Sequence, residues 1–264
     1  MANMHDFTGE VVWITGASAG IGASLAREFA SLGAIVCVSA RRKDRLETLV
    51  AEIQAQGGVA AAYPCDVTQE SELEGVVQQI VQDHGKLDCA VANAGFAVSG
   101  RVESLKAEEW QRQFEVNVIG TAMTAKYALS ELRQTKGRMV LVGSIMSMMT
   151  TPKAGAYSAS KHAVRSIGQT LSLELHGSGV SCTTLHPGYI ATEIAQVKND
   201  GSFDEEREDR RPAKLMWSAD RAARVMIKAI AKRKREHVFT GHGKFGGYMG
   251  RHFPGLVHFA QTRR

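Results

Sequence analysis

Residues 11–22 read VVWITGASAGIG. Val11, Val12, Trp13, Ile14 and Thr15 make a short β-rich run that ends in a glycine loop, Thr15-Gly16-Ala17-Ser18-Ala19-Gly20-Ile21-Gly22. Beyond it, Ile21, Leu25, Phe29 and Leu32 fall on one face of a helix that Gly33 stops. Strand, glycine turn and helix form the entry to a nucleotide-binding βαβ unit. Glycines let backbone N–H groups approach a pyrophosphate, and the helix N-terminus favours its charge. Gly16, Ser18, Gly20, Ile21 and Gly22 are therefore candidate cofactor contacts. A bare strand-to-helix turn would carry the same glycines, so the reading depends on what flanks the loop.

Outward from the loop, strand and helix patterns alternate. Ile35–Ser39 (IVCVS) is the second strand. A site that prefers NAD usually ends this strand in an acidic residue for the ribose 2′-OH. Here Ala40-Arg41-Arg42-Lys43 follows, and Arg41 and Arg42 suit a 2′-phosphate, so NADP(H) is the expected cofactor. Cations at a helix start also oppose the macrodipole, which argues for a reason beyond solvation. Leu46, Leu49, Val50 and Ile53 give that helix its apolar stripe, and Gly57-Gly58 ends it. Residues 59–65 read as strand three, followed by Asp66-Val67-Thr68, with Thr68 as N-cap of a helix that buries Leu73, Val76, Val77 and Ile80. Strand four is 87–92, with Asn93-Ala94-Gly95 at its carboxyl end, where ligands bind in open α/β sheets.

One long helical pattern then runs through Trp110, Phe114, Asn117, Val118 and Tyr127, and Asn117 in this apolar stretch needs a partner if buried. Strand five, 138–143, delivers Ser144. Strand six, 180–185, ends in His186-Pro187-Gly188, where His186 reads as a packing or capping residue. Residues 189–215 have no clear period and carry the charge run DEEREDRR at 204–211; a connection this long is usually functional or mobile. Ala219–Ala231 is a further helix and 237–240 a seventh short strand. Uninterrupted alternation places the chain in the α/β class, as a single doubly wound domain over 1–264 with a seven-stranded parallel sheet flanked by helices.

Residues 143–163, GSIMSMMTTPKAGAYSASKHA, carry the candidate chemistry. Tyr157 and Lys161 are four apart, so on a helix they share a face. The ammonium favours phenolate and is expected to draw the Tyr157 pKa down from about 10 toward neutrality. Ser144 lies before a loop that can fold back, placing its hydroxyl where it holds a carbonyl oxygen beside the phenol. A Tyr-x-x-x-Lys pair alone is a weak signal and also describes a solvated helix face; a dinucleotide site earlier in the chain strengthens it. Met146, Met148 and Met149 suit either an adaptable pocket wall or a loop packed on the sheet.

Composition narrows the function. The net charge of +5 is modest, and basic residues cluster only at 232–235 and at the last two arginines, so nucleic acid is not an expected partner. Cys37, Cys65, Cys89 and Cys182 show no Cys-x-x-Cys spacing, so no metal is expected; they read as buried thiols of a reducing cytosol. The first ten residues lack an apolar signal core, and nowhere do about 18 apolar residues run consecutively, so a cytoplasmic protein is expected.

Taken together, these motifs resemble the short-chain dehydrogenase/reductase family of the Thr-Gly-x-x-x-Gly-x-Gly type, from about residue 7 to residue 241. Thr15, Gly16, Gly20, Ile21 and Gly22 match the cofactor loop; Asp66 and Val67 the pair beside the adenine; Asn93, Ala94 and Gly95 the signature after strand four. Asn117, Ser144, Tyr157 and Lys161 match the catalytic tetrad, and Pro187, Gly188 and Thr192 the loop beside the nicotinamide. Ala92 departs from the family, which often has a second Asn there.

The resemblance implies a Rossmann-type fold and hydride transfer between NADP(H) and a carbonyl or secondary alcohol. Ser144 would position the substrate oxygen and Tyr157 would pass the proton. Lys161 would lower the phenol pKa and hold the nicotinamide ribose, and Asn117 would hold a water. The family also implies a homo-oligomer, dimer or tetramer, built on helices around 110–132 and 154–175. A non-catalytic NADP(H)-binding sensor or scaffold is the alternative on the same fold. In the tail, 241–264, Phe245, Met249 and Phe253 recur every fourth residue. The tail and the 189–215 substrate loop are expected to wall the cleft and favour a lipophilic substrate. Lys232, Arg233, Lys234, Arg235, Arg251, Arg263 and Arg264 offer weak contact with anionic lipid, and packing on a second subunit is the other reading of the tail.

Overall fold

Seven parallel strands form one sheet in the computed structural model, which describes residues 6–209 and 211–263. They are β1 (Val11–Thr15), β2 (Ile35–Ser39), β3 (Val59–Ala62), β4 (Cys89–Ala92), β5 (Arg138–Val142), β6 (Ser181–His186) and β7 (Glu236–Val238). The order β3-β2-β1-β4-β5-β6-β7 reverses direction between β1 and β4. That reversal opens a crevice at the carboxyl ends of these two strands, where doubly wound sheets bind ligands. β1 registers Val11–Thr15 against Ile35–Ser39 on one side and Val12, Trp13 and Ile14 against Cys89, Ala90 and Val91 on the other.

Helices cover both faces. On one face lie α1 (Gly20–Ser31), α2 (Lys43–Ala55) and α7 (Ala219–Ala231), which bury Leu25, Phe29, Leu46, Met226 and Ile230 against alternate strand residues. On the other lie α3 (Glu70–His84), α5 (Gly120–Thr135) and α6 (Gly155–Glu174), with Leu73, Ile80, Leu132 and Val164 in the core. Each fully buried Leu or Phe contributes about 1.5–3 kcal/mol relative to exposure, so the period of apolar residues dictates which helix face turns inward. Because β1 is buried on both faces it reads as an unbroken apolar run. Its one polar atom among the large side chains, Trp13 Nε1, donates to Ser39 Oγ at 2.9 Å, which in turn donates to Tyr63 O at 2.6 Å. α6 sits close on β6 because Gly168 has no side chain; a Cβ there would overlap Thr184 Oγ1.

Several local expectations are corrected. The single helix expected through Trp110 and Tyr127 is α4 (Ala107–Phe114), a π-turn over Glu115–Ile119, and α5. Thr68 does not cap α3: its N–H and hydroxyl both donate to Asp66 Oδ1, at 3.0 and 2.9 Å, and Gln69 takes the cap position. β3 ends at Ala62, although Tyr63 N and Cys65 N still donate to Val38 O and Ala40 O. The tail is helical, as α8 (Gly241–His252) and α9 (Pro254–Thr262). All four cysteines are free and buried, and burial pushes the thiols of Cys37, Cys89 and Cys182 up to about 12 and that of Cys65 to about 11. Among the described residues, no helix is long and apolar enough to cross a membrane, and no group of three His, Cys, Asp or Glu side chains is placed to hold a metal ion.

Candidate active site

The glycine loop is built by left-handed backbone and by contact. Gly16 and Gly20 have φ of +67° and +56°, and a Cβ on Gly16 would lie 2.6 Å from Ala94 Cα. Gly22 packs where a Cβ would overlap Gly16 O. Thr15 Oγ1 accepts from Asn93 N and Ala94 N at 3.1 and 3.2 Å, while Asn93 Nδ2 donates to Thr15 O and Gly16 O at 3.0 and 3.1 Å. Asn93 thus holds the loop open from behind. No side chain caps the N-terminus of α1, so its first-turn N–H groups remain for an anion.

In front of this loop lies a cleft of about 790 Å³ that runs along the carboxyl ends of the central strands. Every candidate site residue named from the sequence lines it except Thr15, Gly22 and Asn117, which stand behind its wall. Asn117 is fully buried: Oδ1 accepts from Phe96 N at 3.1 Å, and Nδ2 donates to Phe96 O at 3.0 Å and to Ser160 Oγ at 3.2 Å. The amide therefore pins the segment after strand β4, and the π-turn brings it there.

At one end of the cleft is a cationic cradle. Arg42 Nη2 donates to Ser18 Oγ at 2.9 Å, and Arg42 Nη1 and Arg45 Nη1 approach the Glu193 carboxylate at 3.3 and 2.6 Å. Both guanidinium groups stand over the Phe203 ring, at 5.6 and 5.2 Å from its centroid. Arg41 lies exposed at the rim. An acidic group gripped by two guanidinium groups beside the glycine loop has the chemistry of a bound phosphate, so these residues fit the phosphorylated ribose of a dinucleotide. Arg45, Glu193 and Phe203 were not picked out in the sequence. Arg45 alone had a signal there, one helical turn after Arg42.

At the other end, Ser144, Tyr157 and Lys161 meet. Ser144, whose Oγ accepts from Met146 N at 3.2 Å, is close enough to the phenol to favour its ionised form, and Lys161 Nζ lies 5.9 Å from the phenol ring centroid and donates to Val142 O at 2.8 Å. The expected fall in the Tyr157 pKa is corrected. Burial raises it, and the Ser144 hydroxyl and the Arg211 charge offset this only in part. Lys161 is itself desolvated, which pulls its ammonium down to about 8 and weakens the charge that was to act on the phenol. Arg211 was missed within the charge run; it donates to Ile190 O at 3.0 Å and Thr192 O at 2.9 Å, fixing the loop beside the cleft. Its neighbour Arg210 and the terminal Arg264 lie outside the described residues.

The packing reading of His186 fits its place. It is fully buried, with Nδ1 3.1 Å from Ser144 O and Nε2 2.9 Å from Glu236 Oε1. Residues of the 189–215 segment line the cleft, among them Ile190, Ile194, Val197 and Phe203. The tail does not, and the expectation that it walls the cleft is corrected. α8 lays Gly246, Gly247 and Gly250 on Ile145, Met148 and Met149, bracing the turn after Ser144 from outside. Met148 and Met149 accordingly face the tail rather than the cleft.

The family model for short chain dehydrogenases matches residues 10–202. This chain belongs to the short-chain dehydrogenase/reductase family. The dehydrogenase/reductase is 34% identical over 236 residues to an 11-beta-hydroxysteroid dehydrogenase, 1A, of Arabidopsis thaliana, covering 86% of this chain and 67% of that protein. It is likewise 34% identical over 197 residues to an uncharacterized oxidoreductase of Staphylococcus aureus strain MRSA252, covering 74% and 84% of the two chains. Among solved structures it is similar to an alcohol dehydrogenase of the archaeon Thermococcus sibiricus complexed with 5-hydroxy-NADP, with a TM-score of 0.76, 28% identity, and 88% and 96% of the two chains covered. It is also similar to a short chain dehydrogenase/reductase of Burkholderia phymatum in complex with NAD, with a TM-score of 0.79, 26% identity, and 88% and 89% covered. This dehydrogenase/reductase is thus an oxidoreductase of a nicotinamide dinucleotide fold, with a single α/β domain.

Proposed function

We propose that the chain is an NADP(H)-dependent carbonyl reductase, interconverting a ketone and a secondary alcohol. The observation that carries this is one cleft with the Ser144–Tyr157–Lys161 constellation at one end and the Arg42–Arg45 cradle at the other. The glycine loop and α1 would hold the pyrophosphate, Asp66 and Val67 would flank the adenine, and Pro187, Gly188 and Thr192 would border the nicotinamide. When bound, the dinucleotide supplies the hydride. Ser144 holds the substrate oxygen by a hydrogen bond. Tyr157 donates its phenolic proton to that oxygen in reduction and accepts it in oxidation. A raised pKa keeps the phenol protonated at neutral pH, the form that reduction consumes. Lys161, in reach of the phenol face, replaces the proton and holds ribose hydroxyls, and Asn117 keeps the Phe96 segment in place behind it.

Phe96, Val116, Ile194 and Val197 give the substrate end an apolar wall, which supports a lipophilic carbonyl substrate; a hydroxysteroid in the name of one relative agrees with that class. The 189–215 segment acts as the substrate loop. Exposed Ile119 and Leu173, on the π-turn before α5 and on α6, support assembly as a homodimer through these helices. Four reduced, buried thiols support a cytoplasmic setting. The test is NADPH oxidation across ketones of rising chain length. Tyr157→Phe is expected to lower kcat by about 10²–10⁴-fold while NADPH binding, read by fluorescence, survives. Near-parental turnover in that variant overturns the assignment.

A further inference from the structure

A surface helix of a water-soluble domain turns its large apolar side chains inward. α8 does the reverse. Gly243, Gly246, Gly247 and Gly250 face the protein, and a Cβ at Gly247 would lie 2.8 Å from Ile145 Cδ1. Phe245 and Tyr248 point outward, 69% and 57% exposed. α9 continues the pattern with Leu256 at 57% and Phe259 at 51%, and Phe253 at the joint is 44% exposed. α9 is tied back through Gln261 Nε2, which donates to Thr150 O at 2.9 Å. The two helices therefore expose Phe245, Tyr248, Phe253, Leu256 and Phe259, with the Tyr248 and Phe253 rings 6.0 Å apart across the joint.

Charge says what covers these side chains. Residues 237–264 contain no Asp or Glu, but they carry Lys244, Arg251, Arg263 and Arg264 and four histidines. The Arg263 guanidinium stands over the Phe259 ring, 4.0 Å from its centroid, so cation and aromatic ring share one patch. Arg251 is paired with Glu236 at 2.6 Å, and the remaining described cations, Lys244 and Arg263, interleave with the aromatic side chains as at the boundary between headgroups and acyl chains of an anionic bilayer. A second copy of this face would set cation against cation, since residues 237–264 hold no acidic side chain.

We propose that α8 and α9 form a docking element that seats the chain on anionic phospholipid bilayers, with Phe245, Tyr248, Leu256 and Phe259 in the interface. Neither helix is long enough to span, so the attachment is to one leaflet. The element adjoins the cleft. α8 rests on the turn after Ser144, and His242 at its start accepts from Tyr189 N at 2.9 Å and stacks on the Tyr189 ring at 5.4 Å. Seated this way, the cleft rim lies next to the acyl phase; that consequence rests on the lipophilic-carbonyl reading, whereas the docking does not.

The experiment is co-sedimentation of the full chain with phosphatidylcholine vesicles, with and without phosphatidylserine, at low and high salt. Light scattering is run in parallel. The parent is expected to pellet with phosphatidylserine vesicles at low salt and to be released by high salt. Phe245→Ser combined with Phe259→Ser is expected to weaken pelleting about tenfold or more, with unchanged solution mass and unchanged turnover of a water-soluble ketone. The proposal is overturned if the parent does not pellet, or if the double variant pellets as well as the parent. A change in the variant's solution mass also overturns it, because the face then belongs to a second copy of the chain.

Discussion

Burial moves Tyr157 and Lys161 in opposite directions, and the consequence is measurable without substrate. Lys161 falls from its ordinary 10.5 to about 8 in the folded chain. The unfolded chain therefore binds more protons between pH 8 and 10.5, and folding stability gains as pH rises through that window. Below pH 8 both states are charged and the full cost of the buried ammonium is present. We expect urea unfolding of the parent to gain stability relative to Lys161→Met from pH 8 to 10; a flat difference contradicts it. The cradle gives a second prediction at this scale. Glu193 holds the guanidinium groups that a 2′-phosphate would need, so Glu193→Gln is expected to tighten NADPH binding severalfold and leave NADH unchanged. Arg45→Ala is expected to weaken NADPH binding about tenfold, and equal titrations of parent and variant would contradict that. Tyr157, Lys161 and Arg42 were legible in the sequence because motif spacing carries them. Glu193 was not, because 151 positions separate it from Arg42 and only the folded chain joins them.

The helices and strands were legible wherever local period and tertiary burial agree. β1, β2 and α7 have the bounds their apolar runs suggest, since each is covered as its pattern requires. The break between α4 and α5 was hidden because a π-turn adds one residue without interrupting the apolar series. That turn delivers Asn117 to Phe96, so Asn117→Ala is expected to cost about 1–3 kcal/mol in urea unfolding by leaving the Phe96 N–H without its partner. The cap of α3 was misread because Asp66, two residues before Thr68, competes for its donors. At the α6–β6 contact, Gly168→Ala is expected to destabilise by about 1–3 kcal/mol, because the helix must lift from Thr184. A variant as stable as the parent would show that the helix shifts freely on the sheet.

For the molecule as a whole, the alternation of strands and helices was enough to read a single doubly wound parallel sheet of seven strands, whereas the tail's place was not legible. Phe245, Met249 and Phe253 recur every fourth residue, but that spacing does not say which side faces the protein, and here glycine faces inward. Dimerisation through α4–α5 and α6 predicts twice the 28.6 kDa chain mass in light scattering, and Leu173→Glu is expected to return it to the monomer. A parent that stays at the chain mass removes that assembly. The four sealed thiols have a different use. Each lies in the core on or beside a strand, and their lifted pKa values leave almost no thiolate at neutral pH. A disulfide reagent added to the folded chain meets reactive sulfur only when the domain opens, so its slow colour change becomes a clock for breathing. Cys65 borders the cleft, and ligands that fill it should stop that clock first at this one position.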